Sequence, residues 1–488
     1  MIVVLSHKEH RENVHESILS AICYRDSVKL IVKFNLFQVV SPMPPKCLVA
    51  GSIFGWRDSR KMVIAQSFVT TLHTNGGTTK RALIPGLVSV IIPNFNNARY
   101  LADAIQSVLD QTYRFFEVIV VDDGSTDDSR AVISRFGDQI RYIWQENQGL
   151  AGARNSGIRA ARGEFVGLLD ADDQWTPAYL QTMMELSRQY PDAAVYFSGA
   201  RCMNAAGDDL ERTIGVPVGG YEGIYEAIVR ANFLIPSTIL LRHTAALEVG
   251  LFDTSLRSCE DWDLWLRMAP QYHFRGVPTP LVRYRLHNAS LTANLEGMFA
   301  AIESMMHKNF GCDDGQWSKW SPIKRRAYGG LYRFFLLNHI QRRNDWTAGA
   351  ESLRRALAID PTLATDLDLF YELAFGAQPV ELRQTAYGVD IERNAIALCK
   401  MVATATQALA IEFPKHMHDQ MYGTVHFAIG LVAYNIGKVN ASRRHLFKAL
   451  RYRPNLWSDP RMRRDLLRSL MGTEIHNRLR YLKQAWID

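Results

Sequence analysis

From Leu87 onward the chain switches between two hydrophobic periods. "LVSVIIP" is a β-branched run stopped by Pro93, and "ARYLADAIQSVL" after it carries Leu101, Ile105, Val108 and Leu109 at helical spacing. "FEVIVVDD" predicts a second strand, and "STDDSRAVISRFG" a helix opened by Ser, Thr and acids and closed at Gly137. "IRYIWQ" predicts a third strand, "LAGARNSGIRAARG" a third helix stopped by Gly163, and "FVGLL" a fourth strand. Alternation of this kind argues for a parallel sheet with helices on both faces. Ligands of such sheets sit at the carboxyl ends of the strands. Asp122/Asp123 and Asp170/Asp172/Asp173 both fall there.

The flanks read differently. Residues 1–84 show strand-like pieces at 28–40 and 62–70, separated by "SPMPPK" and closed by "HTNGGTTK", with no motif. They are expected to be a poorly defined N-terminal extension. Past about residue 295 the pattern turns helical. "DWTAGAESLRRALAIDP" (345–361) and "GLVAYNIGKVNASRRHLFKALRYRP" (430–454) share a small-residue and Leu pattern, ending in Ala-Leu, three residues and Pro. Both resemble tetratricopeptide helical hairpins. The division expected is 1–84, 85–295 and 296–488, the last a helical, repeat-like domain.

Length and composition add bounds. At 488 residues the chain is long for one core, and 47% hydrophobic with 22% charged residues is ordinary for a globular protein. A net charge of +7 suits phosphates or an anionic membrane surface without requiring either. No nucleic-acid partner is expected. Cys23, Cys47, Cys202, Cys259, Cys312 and Cys399 form no CxxC, which fits a reduced compartment. "LIVKFNLFQVV" (30–40) is too short for a membrane span and carries Lys33 and Asn35, and "MIVVLSHKEHREN" lacks the plan of a secretory signal. A cytoplasmic protein is expected.

The chemistry begins with "FVGLLDADDQW". Three carboxylates at the end of an apolar strand repel one another, and burying one unpaired is costly. A divalent cation, Mg²⁺ or Mn²⁺, resolves the conflict, because it takes hard oxygen ligands and completes its shell with water and substrate phosphates. Asp-x-Asp spacing lets two side chains on one side of an extended segment reach one ion or its waters. Asp123, at another strand end, is suited to accept from an N–H donor, while Asp122 with Ser125 and Thr126 has the chemistry of a helix cap. Phe95 offers a ring for stacking. Arg154 and Asn155 follow glycines that allow close backbone approach to a ligand, and an arginine there suits forked contacts to anionic oxygens. In "SCEDWDLWLRM", acids at a helix start lie beside Trp262 and Trp265, where desolvation favours a general base. The same acids also match a helix dipole.

"VSVIIPNFNNARYLADAIQSVLDQTY", "VIVVDDGSTDDS", "NQGLAGARNSGI", "GEFVGLLDADDQWTP" and "EDWDLWLR" follow one another over residues 87–292. In this order they resemble family 2 glycosyltransferases, inverting nucleotide-sugar enzymes of the GT-A fold, a doubly wound mixed α/β sheet. The resemblance implies a nucleotide-sugar donor, UDP-linked, with Pro93, Phe95, Asp122, Asp123, Arg154 and Asp170 on the nucleotide and Asp172 on the metal. It assigns the base to Asp261 and makes Asn155, Glu260, Arg285 and His287 secondary candidates. Arg285 and His287 would cover the diphosphate, and His287 approaches the metal. The acceptor implied is a hydroxyl on a glycan or a lipid-linked sugar. Basic amphipathic stretches between 323 and 488 add a peripheral membrane or protein partner at the inner face of the membrane. The alternative is a non-catalytic nucleotide-sugar-binding scaffold acting through its helical C-terminal domain.

Overall fold

The computed structural model describes residues 4–6, 18–25, 28–35, 82–215, 223–287, 295–378, 389–409 and 414–470. Two compact units divide the chain, 1–78 and 79–488. In the first, β1 (Val4–Ser6), β2 (Ile18–Arg25) and β3 (Val28–Asn35) form an antiparallel sheet in which Ile22 stands opposite Val4 and Ile31. The strand expected at 28–40 is β3, ending at Asn35. The one expected at 62–70 lies outside the described residues.

The second unit begins with the alternation read from the sequence. β4 (Ile84–Asn94), α1 (Ala98–Leu109), β5 (Phe116–Asp122), α2 (Ser129–Ser134), β6 (Arg141–Trp144), α3 (Gly149–Ala160) and β7 (Gly163–Leu168) follow in turn. Then come β8 (Gln174–Trp175), α4 (Tyr179–Gln189), β9 (Ala193–Met203), β10 (Asp209–Ile214), α5 (Ile224–Arg230), β11 (Ile239–Arg242), α6 (His243–Glu248), α7 (Glu260–Met268) and β12 (His273–Arg285). The strands join in the order β6-β5-β4-β7-β11-β9-β12-β8, with β10 beside β9. The first four are mutually parallel. β11 then enters antiparallel between β7 and β9, and β12 runs parallel to β9. The sheet is mixed.

Both faces are covered, so the strands read as continuous apolar runs. Val88, Val90 and Ile92 of β4 and Val118 and Val120 of β5 point to a core shared with α1 and α4. Their neighbours Ile91, Ile119 and Val121 point the other way, to α3, α5 and α7. Gly157 sets the spacing on that second face. A Cβ there would stand 2.3 Å from Ile91 Cγ2, so only glycine lets α3 lie this close to the sheet.

Helices follow from residue 295: α8 (Leu295–Phe310), α9 (Pro322–Arg343), α10 (Trp346–Ile359), α11 (Leu367–Ala374), α12 (Ile391–Ala408), α13 (Lys415–Asn435), α14 (Val439–Tyr452) and α15 (Pro460–Leu470). The two stretches likened to hairpins end in α10 and α14, each followed by a 3₁₀ turn that starts at a proline, Pro361 and Pro454. The second core does not stop at the sheet. It continues through Met305 and Met306 of α8 and Leu331 and Leu336 of α9 as far as Ala441 of α14.

Candidate active site

The acids of "DDGSTDD" divide their work. Asp122 Oδ1 accepts from the Ser125 backbone N–H (3.0 Å) and Oδ2 from the Tyr142 hydroxyl (3.0 Å), so it holds the turn after β5. Burial and then that carboxylate push the Tyr142 phenol up to about 12. Asp123 Oδ1 accepts from Gln145 Nε2 (2.6 Å) and the Gln148 backbone N–H (2.9 Å). Its other oxygen has no protein donor among the described residues. Pro93 lies at the buried end of β4, and Phe95 just beyond it is half exposed.

The "DADD" acids are met from three directions. Asp170 Oδ1 accepts from Arg154 (2.6 Å), while its backbone N–H reaches Ser237 Oγ (3.1 Å). Asp172 Oδ2 lies 2.8 Å from His287 Nε2. Asp173 is buried, taking the Ser237 hydroxyl (2.5 Å) on one oxygen and the Arg285 backbone N–H (2.9 Å) on the other. Burial and then the neighbouring acids hold the Asp173 carboxyl well above the usual range, and burial and then Asp170 raise Asp172 against the pull of His287.

The β12–β8 register explains how Arg285 and His287 arrive. Val282 pairs with Trp175 and Arg283 with Gln174 in antiparallel order, and two more residues of that register put Arg285 opposite Asp172. Arg285 Nε donates to the Asp172 carbonyl (2.8 Å), and its guanidinium lies over the Tyr100 ring at 4.4 Å. It braces the acid loop.

Arg154 stands between two carboxylates. It is buried, with one terminal nitrogen on Asp170 and the other on Glu260 Oε1, both at 2.6 Å. Burial disfavours its charge, but the two carboxylates outweigh that and raise its pKa. Through these two ion pairs it is a strut between the acid loop and α7, and its Nε–H is buried without an acceptor. Asn155 is engaged as well. Its amide exchanges hydrogen bonds with the Phe252 backbone (2.8 and 3.0 Å), holding the turn before α7.

That turn delivers Asp261 to the first turn of α7, after Cys259 in a left-handed conformation (φ +61°). Asp261 Oδ1 accepts from the Trp262 backbone N–H (2.7 Å) and Oδ2 from Asn232 Nδ2 (2.9 Å). Burial, then the Glu260 charge, push its pKa up to about 6, with Arg154 and Asn232 pulling the other way. A carboxyl so poised takes a proton near neutrality. Asp263 is different. It is fully buried and bonded to Arg267, Lys308 and Asn309, tying α7 to α8.

Residues 89–247 match the protein-family model "Glycosyl transferase family 2". The chain is 30% identical over 214 residues to the Bacillus subtilis (strain 168) protein TuaG, named for teichuronic acid biosynthesis, across 43% of this chain and 82% of that one. This chain belongs to glycosyl transferase family 2. An uncharacterised glycosyltransferase of Rickettsia typhi is 31% identical over 218 residues, covering 42% of this chain and 66% of its own length. Chondroitin synthase of Escherichia coli is 26% identical over 194 residues, 39% of this chain and 28% of that one. Among solved structures, S. aureus TarS 1–349 in complex with UDP aligns over 70% of this chain and 90% of its own, with 17% identity and a TM-score of 0.40. For this family 2 chain the sheet and its flanking helices constitute the GT-A fold, followed by a helical C-terminal region.

Sequence reasoning passed over Ser237 and Asn232, which touch Asp173 and Asp261 respectively. Both lie in "ANFLIPSTIL", a stretch with no motif to mark them. No cluster of three or more His, Cys, Asp or Glu able to hold a metal occurs among the described residues. Asp172 and His287 form a two-membered donor set.

Proposed function

We propose that the chain is an inverting glycosyltransferase that moves a sugar from a UDP-sugar to a hydroxyl acceptor in cell-envelope polysaccharide synthesis. The observation that carries the reading is the Asp170–Arg154–Glu260 bridge. It couples the acid loop at the end of β7 to the helix that bears Asp261. Donor acids and a base of raised pKa thus belong to one assembly.

In this reading Asp123 receives the nucleobase N–H on its open oxygen, with Phe95 stacking beside it. Asp172 and His287 would hold a Mn²⁺ or Mg²⁺ ion. They fit one in donor chemistry, and a cation would offset both the burial and the Asp170 repulsion that raise the Asp172 pKa. The ion, when bound, neutralises charge on the departing diphosphate. Asp261 removes the proton from the acceptor hydroxyl, held for that task by Asn232 and the Trp262 amide. A single displacement with no enzyme nucleophile inverts the anomeric centre.

The helical region, with its tetratricopeptide-like pairs, is proposed to bring the enzyme to an anionic membrane surface. Between Lys438 and Leu470 the chain carries ten Lys and Arg against two Asp, a net +8 that exceeds the charge of the whole chain. Phe447, Trp457, Leu467 and Leu470 are exposed among them. No helix among the described residues is long and apolar enough to cross a membrane.

Titration of UDP with and without Mn²⁺ tests the site. The wild type should bind UDP more tightly with Mn²⁺, and Asp172→Ala should lose that difference. Asp261→Asn should keep UDP affinity and lose turnover by roughly 10²-fold or more. Unchanged metal dependence in the first variant, or near-normal transfer by the second, removes the corresponding assignment.

A further inference from the structure

Two cavities meet where the helical region packs on the flank of the sheet. The larger, about 670 Å³, lies between the end of α5, the first half of α9 and residues 362–368 leading into α11. The smaller, about 480 Å³, continues past Arg230, Arg326 and Thr362 toward Trp320 and Arg325. Neither is lined by a residue of the transfer site, and each has the volume of a small-molecule pocket.

Four guanidinium groups face this trough: Arg230, Arg325, Arg326 and Arg333. Two of the four carboxylates beside them are already engaged. One oxygen of Asp360 already takes the Thr362 backbone N–H (3.1 Å) and hydroxyl (2.5 Å). Asp366 Oδ1 caps α11 through the Leu369 N–H (2.9 Å), and its Oδ2 is shared by Arg230 at 2.5 Å and Arg333 at 3.6 Å. The Nε–H groups of Arg325 and Arg333 are buried without an acceptor. Arg326 is exposed, and its guanidinium makes no ion pair among the described residues. Buried donors left unpaired are costly, and a compact oxyanion satisfies several arginine N–H groups together. Glu226 and Asp368, both exposed, stand at the rim. With them the lining sums to zero charge, so an extended polyanion meets repulsion at the edge while a single phosphate meets the arginines.

The trough is built on the helix that braces the candidate base. Trp262 Nε1 donates to the Ile228 carbonyl of α5 (2.7 Å), and Asn232, two residues past Arg230, holds Asp261. The far wall is fixed to the same point. A Cβ on Gly330 of α9 would come within 2.0 Å of the Arg230 carbonyl oxygen, so backbone lies directly against backbone there.

We propose that this trough is the subsite for a phosphate group carried by the acceptor, gripped by Arg326 and Arg333 with Arg230. The inference rests on the transferase reading and adds the acceptor's chemical class. A lipid-linked and a water-soluble phosphoryl acceptor share this chemistry.

Calorimetric titration of the full chain with inorganic phosphate, glycerol 3-phosphate and micellar farnesyl phosphate tests it, with UDP titrated into the same samples. At least one phosphate compound should bind. Arg326→Ala should weaken that binding roughly tenfold, the scale of a lost charge-assisted contact, and leave UDP binding unchanged. Arg333→Gln, checked for folding by circular dichroism, should do the same. Preference for farnesyl phosphate assigns a lipid source, and preference for glycerol 3-phosphate a soluble one. If none of the three binds, or if both variants bind as the wild type does, the trough is not a phosphate site. Absence of UDP binding by the wild type would remove the acceptor role even where phosphate binds.

Discussion

In the proposed reading Asp261 would act as a base only when deprotonated, and its pKa is pushed up to about 6. Activity should therefore fall as pH drops through about 6, seen as the acid limb of kcat/KM. Asn232 donates to the charged carboxylate and favours it, so Asn232→Ala should move that limb to higher pH. For stability the same shift has the opposite sense. A carboxyl whose pKa is raised by folding contributes stability fully below its unfolded value, and the contribution is lost as pH rises through about 6. Asp261→Asn should thus raise the thermal midpoint at pH 8 and leave it nearly unchanged near pH 4. Equal changes at both pH values would contradict the assignment. Arg154 carries a different risk. Replacing it with Met leaves Glu260 buried as an unpaired charge, a loss on the scale of about 3–5 kcal/mol that denaturant unfolding would register.

Elements position these residues, and their spacing is tight. α3 brings Arg154 to Asp170 only because Gly157, one turn on, lets the helix rest on Ile91 and Val121. Gly157→Val would push α3 off the sheet. The expected cost is about 1–3 kcal/mol from overpacking, together with weaker UDP binding as Arg154 moves with its helix. A thermal melt and a UDP titration on the same variant check both. A similar dependence holds for β12, whose pairing with β8 carries Arg285 and His287 to the acid loop.

The largest scale joins the two regions. One apolar cluster runs from β4 and β5 through α7 into α8 and α9, and Lys308 and Asn309 complete the hydrogen bonding of Asp263. Removing residues 296–488 would expose part of this shared apolar cluster and strip Asp263 of its Lys308 and Asn309 donors. The truncated protein is expected to be poorly soluble, which soluble yield and UDP binding would reveal. The far end of the helical region makes a separate prediction. Near a membrane each basic side chain adds about 1 kcal/mol of attraction to anionic lipid. Arg463→Glu with Arg468→Glu should abolish sedimentation with phosphatidylglycerol liposomes at low salt while leaving UDP binding intact. Wild-type protein that ignores such liposomes would remove the membrane role.

The strand and helix order from Ile84 to Leu168, and the acids at the ends of β5 and β7, were legible in the sequence. Apolar β-branched runs, helical spacing and Gly137 depend on near neighbours, and the motif order carried the family. Partnership was not legible. Nothing in "GARNSG" names the partners of Arg154, because Asp170 and Glu260 lie 16 and 106 residues away. Ser237 and Asn232 stand in a stretch without a motif, and only the insertion of β11 between β7 and β9 sets their segment beside the acids. Which elements touch is decided by burial over the whole core. Local pattern therefore determined where chains of polar groups begin, and tertiary packing decided what each of them meets.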